Sequence, residues 1–241
     1  MAQCSNCNTQ LSGPFCPKCG QKDVNLERPF LELLGEITRE TFDVDGRAWR
    51  TLKTLFAHPG QLTAEFLAGK RRKYTPPLRL YLFISVGFFI LIAWIAGQGL
   101  LLDQGQSAET HAESQARFMS DDMPRLMFLL LPVFALLLKA VFPRRLYFDH
   151  LIFSVHLHSA AFVILALILP FEKIANQNLP ALALQVTLMA YFIFYLVTSM
   201  RRVYSVTWPG TIGRAAAVLF GYLVVFSLLI EGTSSYLIIS D

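Results

Sequence analysis

The feature that most constrains this chain is the clustering of its apolar residues into five runs, 78–102, 126–142, 151–171, 180–200 and 215–230. A helix needs about 20 apolar residues, and no fewer than about 17, to cross the hydrocarbon core of a bilayer. The first, third and fourth runs meet that length. The second carries Pro132 and ends at Lys139, whose long stem lets its ammonium reach the interface. The fifth is short, but Ser-Ser-Tyr-Leu-Ile-Ile continues it beyond Glu231. With 54% hydrophobic and only 16% charged residues, the composition argues against a soluble enzyme. The expected fold class is an all-α polytopic membrane protein, with about five transmembrane helices over 78–241.

Basic residues set the expected orientation. With the N-terminus inside, segments 1–79, 139–150 and 200–214 hold 12, 3 and 3 of the 21 Lys and Arg residues. The outer segments keep only Arg117, Arg125 and Lys173. Cytoplasmic loops show this enrichment, and the loop 103–122 is acidic and polar, as an outer loop can be. The expectation is a cytoplasmic N-terminus and, after five crossings, a C-terminus outside. The chain opens on polar, cysteine-rich residues, without the basic and then apolar pattern of a signal peptide.

All four cysteines, Cys4, Cys7, Cys16 and Cys19, lie in the opening CSNCNTQLSGPFCPKCGQ. Paired Cys-x-x-Cys sequences suit a metal, two disulfides or redox chemistry. A reducing cytoplasmic location disfavours disulfides and leaves four thiols to become metal thiolates. A redox role lacks the surrounding strand–helix pattern of thioredoxin type. Two tight turns, with Gly20 permitting a left-handed backbone after the second pair, fit a Cys4 tetrahedron around structural zinc. So few residues build no core, and the metal is expected to fold them. Residues 1–22 are therefore expected to form a small zinc ribbon.

Residues 23–77 form the next unit. Phe30, Leu33, Leu34 and Ile37 recur at i, i+3, i+4 and i+7, one face of a helix over 29–42 that 43–46 interrupts. A second short helix carries Trp49, Leu52 and Phe56 on one side, with Arg47, Arg50 and Lys53 nearby. His58-Pro59-Gly60 breaks it, and a third runs over 62–68 until Gly69 stops it. Two readings stand: a helical subdomain packed on the ribbon, or helices lying in the membrane interface. Lys70, Arg71, Arg72, Lys73 and Arg79 then mark the membrane entry, where Pro76-Pro77 prevents one continuous helix. The cluster is either a positive-inside anchor or a binding site for an anionic headgroup or phosphate, formed by Lys70, Arg71, Arg72, Tyr74 and Arg79. Nucleic acid is not expected, because no basic stripe with interleaved aromatics is present.

A Cys-Gly-Gln-ending ribbon followed by TLKTLFAHPGQLTAEFLAGKRRKYTPPLRLYLF resembles the bacterial membrane proteins grouped as domain-of-unknown-function family 3667. The residues carrying the resemblance are Cys16, Cys19, Gly20, Gln21, Pro59, Gly60, Gly69, Lys70, Arg71, Tyr74, Pro77 and Arg79. It covers roughly the first 85 residues closely and the later helices loosely. The resemblance implies a ribbon plus a helical membrane domain in the bacterial inner (cytoplasmic) membrane. It implies no activity, and it makes the Gly-Lys-Arg stretch more than a generic anchor.

Histidines within membrane helices are costly and are functional candidates. His150, Ser154 and His158 fall on one helical stripe, while His156 faces elsewhere. His150 and His158 lie about 12 Å apart along the axis, and no two histidines here have the i, i+4 spacing of a helical metal pair. They either bond between helices or form a proton-handling stripe. Gly213, Ala217 and Gly221 form a small-residue ridge suited to close packing within the bundle or between subunits, so a homo-oligomer stays open. No phosphate-binding Gly-rich loop, nucleophile elbow or internal repeat is evident. The expected function is a membrane binding or accessory protein, more in keeping with a non-enzyme. Its ribbon would dock a cytoplasmic protein partner, and its basic site would hold anionic membrane lipids. The alternative is a membrane enzyme or transporter for an anionic lipid or metabolite, using His150 and His158, with His156 as a further candidate.

Overall fold

The computed structural model describes residues 3–22, 47–97, 123–171 and 178–240, with backbone alone at 96–97, 230 and 232–240. The expected helix over 29–42, its interruption at 43–46 and the loop 103–122 lie outside the described residues. Seven α-helices follow in order among those described. They are α1 (Arg47–Ala57), α2 (Gln61–Leu67), α3 (Pro77–Gly97), α4 (Met123–Val141), α5 (Tyr147–Ile168, continued by a 3-10 turn, Leu169–Phe171), α6 (Leu179–Tyr204) and α7 (Trp208–Ser240). No strand longer than an isolated bridge occurs among these residues.

Five helices are long and apolar enough to cross a membrane: Pro77–Ile95, Met123–Val141, Tyr147–Phe171, Leu179–Tyr204 and Trp208–Leu229. They correspond to the five apolar runs. Helices α5, α6 and α7 reach past those runs into polar residues, because helical hydrogen bonding continues where hydropathy ends. The last continues through Glu231 to Ser240.

Helix α5 is the axis of the bundle, with 61% of its span buried against 11% for α7. It is apolar nearly all round, as a helix enclosed by others must be. Helices α3, α4 and α6 pack on it, and α7 packs on α4 and α6. Phe162 anchors one side, stacked on Phe88 at 4.8 Å and within 5.8 Å of Phe89 and Tyr81. Phe83, Val86, Ile90, Trp94, Phe194 and Phe220 point outward and exposed. In water that much exposed apolar surface would drive association, whereas a bilayer solvates it.

Pro132 sits inside α4, where its missing N–H and its ring disturb the hydrogen-bond ladder. Helix α5 supplies donors beside it: Ser154 Oγ to Leu131 O at 2.9 Å and Tyr147 OH to Pro132 O at 3.3 Å. The face α7 turns inward is Thr211, Ala215 and Val218. Gly213 and Ala217 lie exposed, and of the small-residue ridge Gly221 approaches Leu137, with a Cβ position 3.3 Å from its Cδ2.

Helix α1 packs against α5, and α2 packs against α5 and α6. Thr63 meets His156, nine residues into α5 and so about 13 Å from its start. The last turn of α1 and the non-helical turn after it are satisfied by side chains of α6. Tyr191 OH donates to Phe56 O, and Arg202 Nη1 donates to Pro59 O, each at 2.7 Å. Gly60 begins α2 at φ 76°, and a Cβ there would stand 2.8 Å from Ser199 Cα. Both the backbone angle and the close approach require glycine. Gly60→Ala should therefore loosen the α1–α2 hairpin from α6 and cost about 1–3 kcal/mol. Thermal unfolding of the detergent-solubilised protein should show a Tm several degrees below wild type, and an unchanged Tm would refute the close contact.

Candidate metal centre and basic loop

Residues 3–22 form two equivalent turns twelve positions apart. Cys4 N donates to Thr9 O and Asn8 N to Cys4 O, while Cys16 N donates to Gln21 O and Gly20 N to Cys16 O, at 2.8–2.9 Å. The residue after each second cysteine is left-handed, Asn8 at φ 58° and Gly20 at φ 68°. Paired bridges, Gln3 with Gln10 and Phe15 with Lys22, close each turn. The internal repeat escaped sequence reading because only the cysteines are identical between the halves. Asn and Gly share the left-handed position for their common tolerance of it.

The turns bring the four sulfurs together. Cys4 Sγ lies 3.6 Å from Cys19 Sγ, Cys7 Sγ lies 3.5 Å from Cys16 Sγ, and all four ligand atoms fall within 4.8 Å of one another. A tetrahedron with metal–sulfur bonds of about 2.3 Å has sulfur–sulfur edges of about 3.8 Å, so this cluster can hold a metal ion. Its thiols are uneven. A hydrogen bond with the Thr9 hydroxyl, then the Thr9 amide, pulls Cys7 down from the ordinary 9.0 to about 6. Cys4 receives the Asn6 amide, but burial and hydrogen bonding with the Cys19 and Cys16 sulfurs push it up to about 11. Four crowded thiolates need a cation, because like charges at these distances oppose full ionisation.

Residues 3–22 lie on the basic loop after α2. That helix ends in a Schellman motif: Lys70 N donates to Glu65 O at 2.9 Å and Gly69 N to Phe66 O at 3.0 Å, with Gly69 at φ 82°. Gln21 then reads the loop's backbone. Its Nε2 donates to Gly69 O at 2.5 Å, and its Oε1 accepts from Arg71 N at 3.1 Å and Arg72 N at 3.3 Å. Arg72 Nε donates to Cys19 O at 3.1 Å. A Cβ on Gly69 would stand 2.8 Å from Ser5 Cβ, so glycine is what lets the ribbon approach.

The other predicted anion-binding residues are placed variously. Lys70 is exposed, and the Arg71 guanidinium lies 5.2 Å from the Phe66 ring centroid. Tyr74 is buried in the core with Leu55, Leu62 and Met200, and Lys73, over its ring, pairs with Glu65 at 3.4 Å. Arg79 is half-buried in the first turn of α3.

The three histidines bond to three different elements. His150 Nδ1 meets Tyr204 OH of α6 at 2.8 Å, and His156 Nδ1 meets Thr63 Oγ1 of α2 at 3.0 Å. His158 Nδ1 lies 2.8 Å from Ser154 O, and its Nε2 lies 3.0 Å from Tyr222 OH of α7. A carbonyl only accepts, so Nδ1 carries the proton and Nε2 accepts from Tyr222. His150 Nε2 has no partner among the described residues. Sequence reasoning assigned no contact to Gln21, Thr63, Tyr204 or Tyr222, whose partners lie 48 to 93 positions away.

Residues 45–89 match the family model described as Protein of unknown function (DUF3667). The match spans α1, α2, the basic loop and α3 as far as Phe89, and the four cysteines lie outside it. No curated protein and no solved structure matches the chain.

Elemental analysis of purified protein should find one equivalent of bound metal, lost in Cys16→Ser. Acid should release it. Protons compete with the metal for the four thiolates, so its affinity falls as pH falls. Equal metal in both proteins, or a metal affinity that does not fall with pH, would contradict the site.

Proposed function

We propose that the chain is an integral membrane binding or accessory protein, with a zinc ribbon that docks a cytoplasmic partner and a basic loop that meets anionic headgroups. The observation that carries this reading is the seating of the ribbon on residues 69–72 through Gln21 and Cys19. It gives a module without a core of its own a fixed position at the membrane entry. Four thiolates in a closed tetrahedral set suit structural zinc, and such closed sites hold shape for contacts rather than catalysis. Lys70, Arg71, Arg72 and Arg79 supply positive charge at the start of α3, worth about 1 kcal/mol each beside an anionic surface. Eighteen of the 21 Lys and Arg residues support the orientation with the N-terminus cytoplasmic and the C-terminus outside. The family resemblance supports a location in the bacterial inner membrane.

The pairing of the histidines also favours a binding role over an enzyme or transporter. A cavity of about 940 Å³ opens between α1, α3 and α5, lined by Trp49, Phe56, Phe83, Phe88 and Phe162 among others. Neither the histidines nor residues 70–72 line it. A proton-handling site would instead bring histidine and basic loop to one water-accessible space.

The test is Arg71→Lys with Arg72→Lys, which keeps charge but loses bidentate guanidinium geometry. With metal removed from both proteins by chelator, lipid co-purifying with the double variant should be depleted in anionic species relative to wild type, with membrane insertion unchanged. Identical co-purifying lipid would reduce the cluster to a topological anchor.

A further inference from the structure

Three donors of the basic loop end on oxygens of the ribbon, an arrangement with the chemistry of an anion site already filled. The amides of Arg71 and Arg72 converge on Gln21 Oε1, that of Arg71 shared with Gly69 O at 3.1 Å, and Arg72 Nε points at Cys19 O. Successive amides aimed at one point form a concavity that takes anions, and a guanidinium matches phosphate oxygens. Lys70 stands exposed beside them. Gln21 is suited to fill such a place: its oxygen takes the two amides while its Nε2 gives a proton to Gly69 O. A glutamate would set a carboxylate oxygen against that carbonyl, and an alanine would leave all three groups without this partner.

The ribbon's hold on the loop depends on its metal. Among residues 3–22 only Cys4 and Cys16 are buried, so no apolar core keeps the two turns together. In a unit of this kind the free energy of metal binding is the free energy of folding. Losing the metal removes Gln21 Oε1 and Cys19 O from the loop together, since both belong to the second turn.

We propose that the ribbon is a metal-dependent stopper of a phosphate-class anion site on residues 69–72, with Gln21 Oε1 and Cys19 O standing where phosphate oxygens bind once the metal leaves. This rests on the anion-binding reading of the basic loop and names its ligand class and its control. Coupling of this kind is reciprocal, so phosphate on the loop weakens metal binding by the factor by which metal weakens phosphate binding.

The experiment uses the full chain in nanodiscs of phosphatidylcholine, with or without phosphatidylglycerol, in three forms: zinc-loaded wild type, chelator-stripped wild type and zinc-loaded Gln21→Ala. Tryptic cleavage at 70–73 is followed by mass spectrometry, and inorganic phosphate binding by calorimetry. Zinc-loaded wild type should be protected and bind no phosphate. The other two should be cut about tenfold faster, within the usual range of couplings, and should be protected again by an anion. Protection by inorganic phosphate in phosphatidylcholine assigns a free phosphate; protection only with phosphatidylglycerol assigns a headgroup; either supports the proposal. Equal cleavage in all three forms overturns it. Faster cleavage with no protection by either anion also overturns it and removes the anion-binding reading with it. If wild type carries no zinc, the metal assignment fails separately, while Gln21→Ala still reports on the contact.

Discussion

A peptide N–H or C=O in hydrocarbon has no water to turn to, and most of this molecule follows from that constraint. Leaving one unpaired costs several kcal/mol, so only helices cross, and every break in a helix at depth has to be repaired by a neighbour. The repairs are visible. Ser154 and Tyr147 donate to carbonyls beside Pro132, and Tyr191 and Arg202 donate to the turn between α1 and α2. The histidines of α5 obey the same rule, each spending a ring nitrogen on a hydroxyl of another element. These polar links sit where the bundle would otherwise be held by dispersion alone, and they give it register.

The cysteine-rich segment, residues 3–22, answers a different problem with the same economy of parts. It is too small to bury a core, so a metal would do inside it what packing does elsewhere. What it lends the membrane domain is a pair of oxygens and one amide, aimed at a single turn of backbone. Because Gly69 both terminates α2 and admits Ser5, one residue joins the helix end, the basic loop and the ribbon. A change at any of the three is felt at the other two.

Much of this was legible in the sequence where the cause is local. Apolar run length marks five membrane helices, Gly60 and Gly69 stand at the stops, and Gly20 takes the left-handed angle after the second cysteine pair. What stayed hidden depends on distant partners. Nothing near Gln21 reveals that it reads a backbone 48 to 51 positions away, and nothing near Pro59 reveals Arg202, 143 positions on. The ridge of Gly213, Ala217 and Gly221 shows the limit from the other side. Small residues permit close packing, but within the chain only Gly221 of the three uses it, against Leu137, while the buried face is Thr211, Ala215 and Val218.

The central claim is that a metal-folded ribbon sits on the loop at the membrane entry. Hydrogen–deuterium exchange of the Arg71 and Arg72 amides in the full-length protein tests it most directly, because both are bonded to Gln21. With zinc bound, both should exchange slowly; stripped of zinc, both should exchange at the rate of an open loop, while the amides of α5 stay protected. Exchange at these two amides that is fast in both states, or slow in both, would contradict the account.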